Sequence, residues 1–257
     1  MKLAPTNDAI RVNSLTKSFA RDPVLKDVTL GLRQGETVAI LGPSGSGKST
    51  LCRTMIGLEP FELGEIRVFG EQFLVSERGR VKRGSGFARI RLQMGMVFQD
   101  YTLMPTMTLL GNLSLGPRRV LKLDADLVRE QSLKYLEEVG LKGLENSYPA
   151  HLSGGQKQRA AIARELAMDR RILFFDEVTS ALDPELVAEV LEVMKQLASG
   201  DGKTLVVVTH ELNFARHVAD RIVFMDDGHI LEVSTPDQFF TKPSSERAAQ
   251  FLDRVLQ

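Results

Sequence analysis

The sequence predicts an α/β protein built around a parallel core sheet. Three observations carry this. Short, nearly continuous apolar runs at 38–41, 172–175 and 204–208 suit strands buried on both faces. Apolar residues between them recur at helical spacing, and strands and helices alternate along the chain.

Taken in order, "VTLGLRQGETVAILGP" reads as two strands. Val28, Leu30 and Leu32 alternate in the first, and Val38–Leu41 is a buried run that ends in a glycine-rich turn. A helix over about Lys48–Ile56 follows, stopped by Gly57. Leu123, Leu127, Val128, Leu136 and Val139 fall at helical spacing, and residues from about 100 to 168 are expected to form a helical insertion. A strand at 172–175 precedes a helix from Pro184 to about Ala198, with proline in the first turn and Gly200 at the exit. Thr204–Val208 is the next strand, and "IVFMDDGHILEV" places Asp227 and Gly228 at the tip of a hairpin.

Composition narrows the class. With 257 residues, 43% hydrophobic and 26% charged, the chain can bury a core and reads as a folded globular protein of one large domain or two small ones. Lys plus Arg is 33 and Asp plus Glu is 33, which does not supply the basic footprint of a general nucleic-acid binder. The single cysteine, Cys52, allows no internal disulfide and reads as a small buried apolar residue. Together with the start "MKLAPTNDAI", which has no apolar signal core, it points to a reducing cytoplasm. The apolar runs fall far short of the roughly 20 residues needed to span a bilayer. Any membrane-spanning helices must therefore come from partners.

"GPSGSGKST" comprises Gly42, Pro43, Ser44, Gly45, Ser46, Gly47, Lys48, Ser49 and Thr50, and fits G-x-x-x-x-G-K-[ST]. Glycines let backbone N–H groups wrap phosphates, and the following helix offers its positive end. Lys48 is placed for the β and γ phosphates and Ser49 for Mg²⁺. A chance match in a chain of ordinary composition is roughly a 1% event. "LFFDE" then sets Asp176 and Glu177 side by side at the end of an apolar strand, where two carboxylates are costly without a cation. Asp176 is placed to help hold Mg²⁺, and Glu177 to act as base or to position water. "LSGGQKQR", far downstream, opens a helical stretch with Ser153, Gly154 and Gly155 and makes a second anion site.

"GPSGSGKST", Gln99 in "MVFQD", "LSGGQ", "LFFDE", "SALD" and His210 in "VVVTHE" stand in the order and spacing of an ABC nucleotide-binding cassette. Over essentially its whole length the chain resembles that family. The resemblance implies a P-loop NTPase fold as a single ABC ATPase domain over 1–257, with a parallel core sheet, an antiparallel β subdomain and the inserted helical subdomain. It implies ATP and Mg²⁺ as ligands and a head-to-tail dimer in which the loop of one copy and the LSGGQ of the other enclose one ATP. Carried over by position, Gln99 senses Mg²⁺ and the attacking water, His210 contacts the γ phosphate, and Asp183 faces the opposite subunit. Ser153, Gly154, Gly155 and Gln156 hold the partner's ATP, and Phe19 stacks on adenine.

The stretches 179–232 and 95–117 are similar to the ATPase subunits of polar amino acid uptake systems. That implies transmembrane permease subunits as partners, an extracytoplasmic solute-binding protein as an indirect one, no nucleic acid, and a peripheral place on the cytoplasmic face of the cell membrane. An envelope-remodelling, cell-division or export ATPase is the alternative. The sequence departs from the family pattern at Val178, where proline is usual and the turn holding Glu177 is expected to be looser, and at Gly111, where glutamate is usual. Arg78, Arg80, Lys82, Arg83, Arg89 and Arg91 against the one acid Glu77 make 76–91 unusually basic, and it reads as a solvated surface loop, with contact to anionic lipid headgroups or an acidic partner as the sharper alternative. His151 reads as a surface residue without chemistry.

Overall fold

The computed structural model describes residues 7–20, 22–77, 79–200 and 202–255. The first residues of "MKLAPTNDAI" and Arg78 of the basic segment lie outside these. In chain order, β1 (Asp8–Phe19) and β2 (Asp22–Arg33) precede β3 (Thr37–Leu41) and α1 (Lys48–Met55). β4 (Leu63–Val68), β5 (Glu71–Glu77), β6 (Arg80–Arg83), α2 (Phe87–Leu92) and β7 (Met94–Val97) follow. Three helices come next, α3 (Leu109–Arg119), α4 (Ala125–Glu138) and α5 (Gly154–Leu166). The rest is β8 (Ile172–Asp176), α6 (Pro184–Ser199), β9 (Thr204–Val208), α7 (Leu212–Val218), β10 (Arg221–Asp226), β11 (His229–Ser234), α8 (Pro236–Thr241) and α9 (Glu246–Val255).

Two sheets result. One is antiparallel, in the order β2-β1-β4-β5-β6, and the other runs β11-β10-β3-β9-β8-β7. In the second, every neighbouring pair from β10 to β7 is parallel, and β11 closes the edge as the antiparallel arm of the expected hairpin. The predicted α/β class with a parallel core is the fold observed.

Alternation along the parallel strands sorts the core. Val38 and Ile40 of β3, Ile172 and Phe174 of β8, and Val206 and Val208 of β9 pack with Leu51, Cys52 and Met55 of α1 and with the antiparallel sheet. Leu173, Phe175, Leu205 and Val207 point the other way, into a core shared with α3, α4, α5 and α6. Ala39 and Leu41 meet Phe224, Phe239 and Leu252 under the C-terminal helices. Both faces are covered, which is why these strands read as unbroken apolar runs.

Some details differ from the sequence reading. In the stretch expected to be helical from about 100, the first helix begins at Leu109. Asn112 accounts for part of that delay: its buried side chain accepts from Met104 N–H and donates to the Met104, Met107 and Thr108 carbonyls, stabilising an irregular entry. The basic segment is not a loop. β6 pairs antiparallel with β5 as the edge of its sheet, and α2 carries Arg89 and Arg91. Charged side chains on an edge strand deter pairing with other chains, and they also hide the apolar alternation by which strands are read. Arg89 is paired with Glu71, the Arg83 guanidinium lies 4.5 Å from the Phe87 ring centroid, and Arg91 donates to the Met94 carbonyl. Cys52 is fully buried, and burial raises its thiol pKa well above the usual range.

Candidate active site

Because β3, β8 and β9 are parallel, their carboxyl ends share one edge, and the loops leaving them converge there. From Leu41 the chain turns through 42–47. A Cβ on Gly42 would lie 2.0 Å from the Met225 carbonyl oxygen, and one on Gly47 would lie 2.7 Å from that of Val24. With φ of 148° and 99°, neither position accepts a side chain. Gly45, in contrast, faces open space. Lys48 is 4% exposed, and its Nζ donates to the carbonyls of Gly42 at 2.9 Å and Pro43 at 2.8 Å. Burial lowers its pKa, an effect opposed by the nearby charges of Glu177 and Asp176. The Ser46 hydroxyl is buried without a partner, while Ser49 and Thr50 are half-buried in the first turn of α1. A buried cation, a buried unpaired hydroxyl and one glycine, Gly45, open to solvent describe a cradle shaped for an anion.

Asp176 closes β8. Period-2 alternation puts it on the face of Ile172 and Phe174, toward α1. It is 3% exposed; its Oδ2 accepts from Arg53 Nη2 at 3.1 Å, and its Oδ1 is buried with no partner. A buried, unsatisfied carboxylate oxygen is costly, and a divalent cation is a ligand of suitable chemistry for it. Glu177 has φ 51°, a backbone conformation that a non-glycine residue adopts rarely and at some cost. Its N–H donates to the Val208 carbonyl at 3.0 Å, and its carbonyl accepts from the Ser180 hydroxyl at 2.8 Å. β8 and β9 are in register at Asp176 and Val208, so His210, just past β9, reaches Glu177 with Nε2 3.2 Å from Oε1.

The other expected site residues are spread over several elements. Gln99 is exposed and lines, with Arg53, Tyr101 and Ala181, a cleft of about 640 Å³. Phe19 ends β1 and is 46% exposed rather than core, with Lys17 Nζ 4.5 Å from its ring centroid. Ser153 caps α5: its Oγ accepts from Gln156 N–H at 3.2 Å while the Gln156 side chain accepts from Ser153 N–H at 3.0 Å. Gly154 and Gly155 lie against Leu182 and Leu186, which sets the α5 start beside that of α6. There Asp183 is the N-cap residue, exposed and with its carboxylate unused by the cap. Among the described residues, no hydrogen bond or ion pair joins 153–156 to the phosphate loop. His151 is exposed. Arg53 was not singled out by the sequence reading; its one signal is a charged residue on a short helix whose neighbours Leu51, Cys52 and Met55 are buried.

Residues 25–180 match the ABC transporter family. The chain belongs to that family. This cassette is 50% identical to the "Glutamine transport ATP-binding protein GlnQ" of Geobacillus stearothermophilus, over 96% of this chain and 99% of the relative. It is 48% identical, with the same coverage, to the "Glutamate/aspartate import ATP-binding protein GltL" of Escherichia coli K12. Among solved structures, it resembles the dimeric ATP-binding cassette MJ0796 bound to ADP and Pi in a post-hydrolysis state, with a TM-score of 0.76 and 33% identity, over 88% of this chain and 98% of that one. It also resembles cbiO1 of Clostridium perfringens, part of the cbiONQ transporter complex, with a TM-score of 0.79 and 27% identity over 97% and 98% of the two chains. The cassette is an ABC ATPase that binds ATP. No helix among its described residues is long and apolar enough to cross a membrane.

Proposed function

We propose that the cassette energises uptake of a polar amino acid. In this reading it works as a head-to-tail pair on the cytoplasmic face of the membrane, coupled to separate permease subunits and served indirectly by an extracytoplasmic binding protein. Two relatives, a glutamine transport and a glutamate/aspartate import ATP-binding protein, support the solute class. The dimeric form of MJ0796 supports the pairing.

The observation that carries the chemistry is the convergence of Lys48, Asp176, Glu177 and His210 at one sheet edge, with Glu177 held 3.2 Å from His210. Backbone N–H groups of Gly42 and of 44–50 bind the phosphates and Lys48 exchanges its carbonyl partners for phosphate oxygens. Ser49, Gln99 and Asp176 would hold Mg²⁺, which would supply positive charge to the transferred phosphoryl group. Support for Asp176 in this role is its unpartnered buried Oδ1. Glu177 takes the proton of the attacking water, His210 orients Glu177 and meets the γ phosphate, and Phe19 stacks on adenine. Ser153, Gly154, Gly155, Gln156 and Asp183 complete the site of the partner copy.

Replacing Glu177 with glutamine keeps the side chain's size and removes the base. Glu177→Gln is expected to bind ATP with unchanged affinity and to hydrolyse it roughly 10² to 10⁴ fold more slowly, measured by phosphate release. Turnover at the parent rate would remove Glu177 from the role. ATPase activity of the assembled transporter in liposomes, stimulated by a binding protein loaded with glutamine or glutamate, checks the solute class.

A further inference from the structure

Arg53 belongs to no motif, yet it makes the direct ion pair to the most buried acid of the site. Asp176 has a side chain 4% exposed, and Arg53 Nη2 lies 3.1 Å from its Oδ2. Lys48 does not share this task at contact distance, because its ammonium is bonded to the Gly42 and Pro43 carbonyls. The two cations stand at opposite ends of α1: Lys48 opens the helix at the phosphate loop, and Arg53 sits in its last turn. Arg53 is itself 46% exposed and borders the cleft that Gln99 lines. It is anchored at one end by a helix whose inner face is in the core and is in contact at the other with a strand terminus.

We infer that Arg53 is a positioning residue for the metal carboxylate: by holding Asp176 through Oδ2 it fixes the carboxylate so that the unpartnered Oδ1 is the atom presented to the cation. This rests on the reading of Asp176 as a Mg²⁺ ligand. A carboxylate that ligates with one oxygen needs its other oxygen held, or it rotates about its own bond and loses the ligating geometry. Groups that hold a ligand in this way typically contribute about 10 to 100 fold to metal affinity. A guanidinium suits the task, because its planar fork of donors matches carboxylate oxygens.

The test uses the full chain with a non-hydrolysable ATP analogue and Mn²⁺ as the probe, with free Mn²⁺ read by electron paramagnetic resonance. Arg53→Met is expected to weaken Mn²⁺ binding by about tenfold or more, with nucleotide affinity in EDTA unchanged within about twofold, and Arg53→Lys to recover part of the loss. A structural salt bridge would lower the melting temperature and leave Mn²⁺ affinity alone, and that result would overturn the inference. Asp176→Asn, measured in parallel, separates the two levels. If it loses Mn²⁺ while Arg53→Met does not, only the role of Arg53 fails; if it keeps Mn²⁺, the reading of Asp176 fails with it. Should Arg53→Met not fold, Arg53→Lys decides: weaker Mn²⁺ binding supports positioning, and parent affinity overturns it.

Discussion

At the residue scale, Lys48 carries an electrostatic cost. Burial lowers its pKa from 10.5 although Glu177 and Asp176 pull the other way. Between its lowered folded value and 10.5 the unfolded chain binds more protons than the folded one, so stability without nucleotide rises as pH rises through that window. Phosphate reverses the balance, because an anion beside Lys48 favours its charged form. Binding therefore takes up a proton at alkaline pH, and ATP affinity falls as pH climbs toward 10.5. Calorimetry in buffers of different ionisation enthalpy is expected to show the uptake. Lys48→Met removes it and weakens ATP binding by roughly 10 to 100 fold, in line with loss of a charged hydrogen bond.

At the scale of an element, α5 shows how one serine can serve two ends. Ser153 and Gln156 satisfy two N–H groups at the start of the helix reciprocally. Behind them Gly155 is buried against Leu186, and the helix runs on into the core through Ala160, Ala161 and Ile162. Ser153→Ala is expected to cost about 1 kcal/mol of unfolding free energy, read from denaturant titration without nucleotide. The turn after β8 is held by packing of another kind. Val178 departs from the proline that the family resemblance implies, yet its side chain is 4% exposed in the core and the Glu177 N–H before it is bonded to Val208. Sheet contacts, rather than a ring-fixed φ, hold this turn.

For the whole molecule, the phosphate loop and the Ser153 cap of one chain belong to different neighbourhoods. The phosphate loop lies where α1 meets β3, and the Ser153 cap lies where α5 meets α6. In a pair related by a two-fold axis, each chain's cap can complete the other chain's loop, which yields two equivalent sites. The Glu177→Gln protein is expected to dimerise on addition of ATP. Adding Ser153→Arg is expected to leave it monomeric by size-exclusion chromatography with light scattering, because a long cation occupies the approach face. ATP-dependent dimers of the double variant would refute the arrangement.

Sequence alone determined the phosphate loop, the adjacent acids, the parallel strands and the family. The first three are written within short windows, glycines where a Cβ would strike Met225 or Val24 and apolar runs where both faces of a strand are covered, and the family is written in the order and spacing of such windows. Side-chain pairing across elements was not legible, because it depends on how far-separated segments pack. Arg53 and Asp176 meet only because α1 lies over the face of β8 that Asp176 shares with Phe174. Glu177 and His210 meet only because β8 and β9 are adjacent and in register. The strand character of 80–83 was concealed for a related reason: pairing with β5, rather than any apolar pattern of its own, makes it a strand. The chain's local chemistry thus named the reaction, and the tertiary structure chose which charges hold one another while it runs.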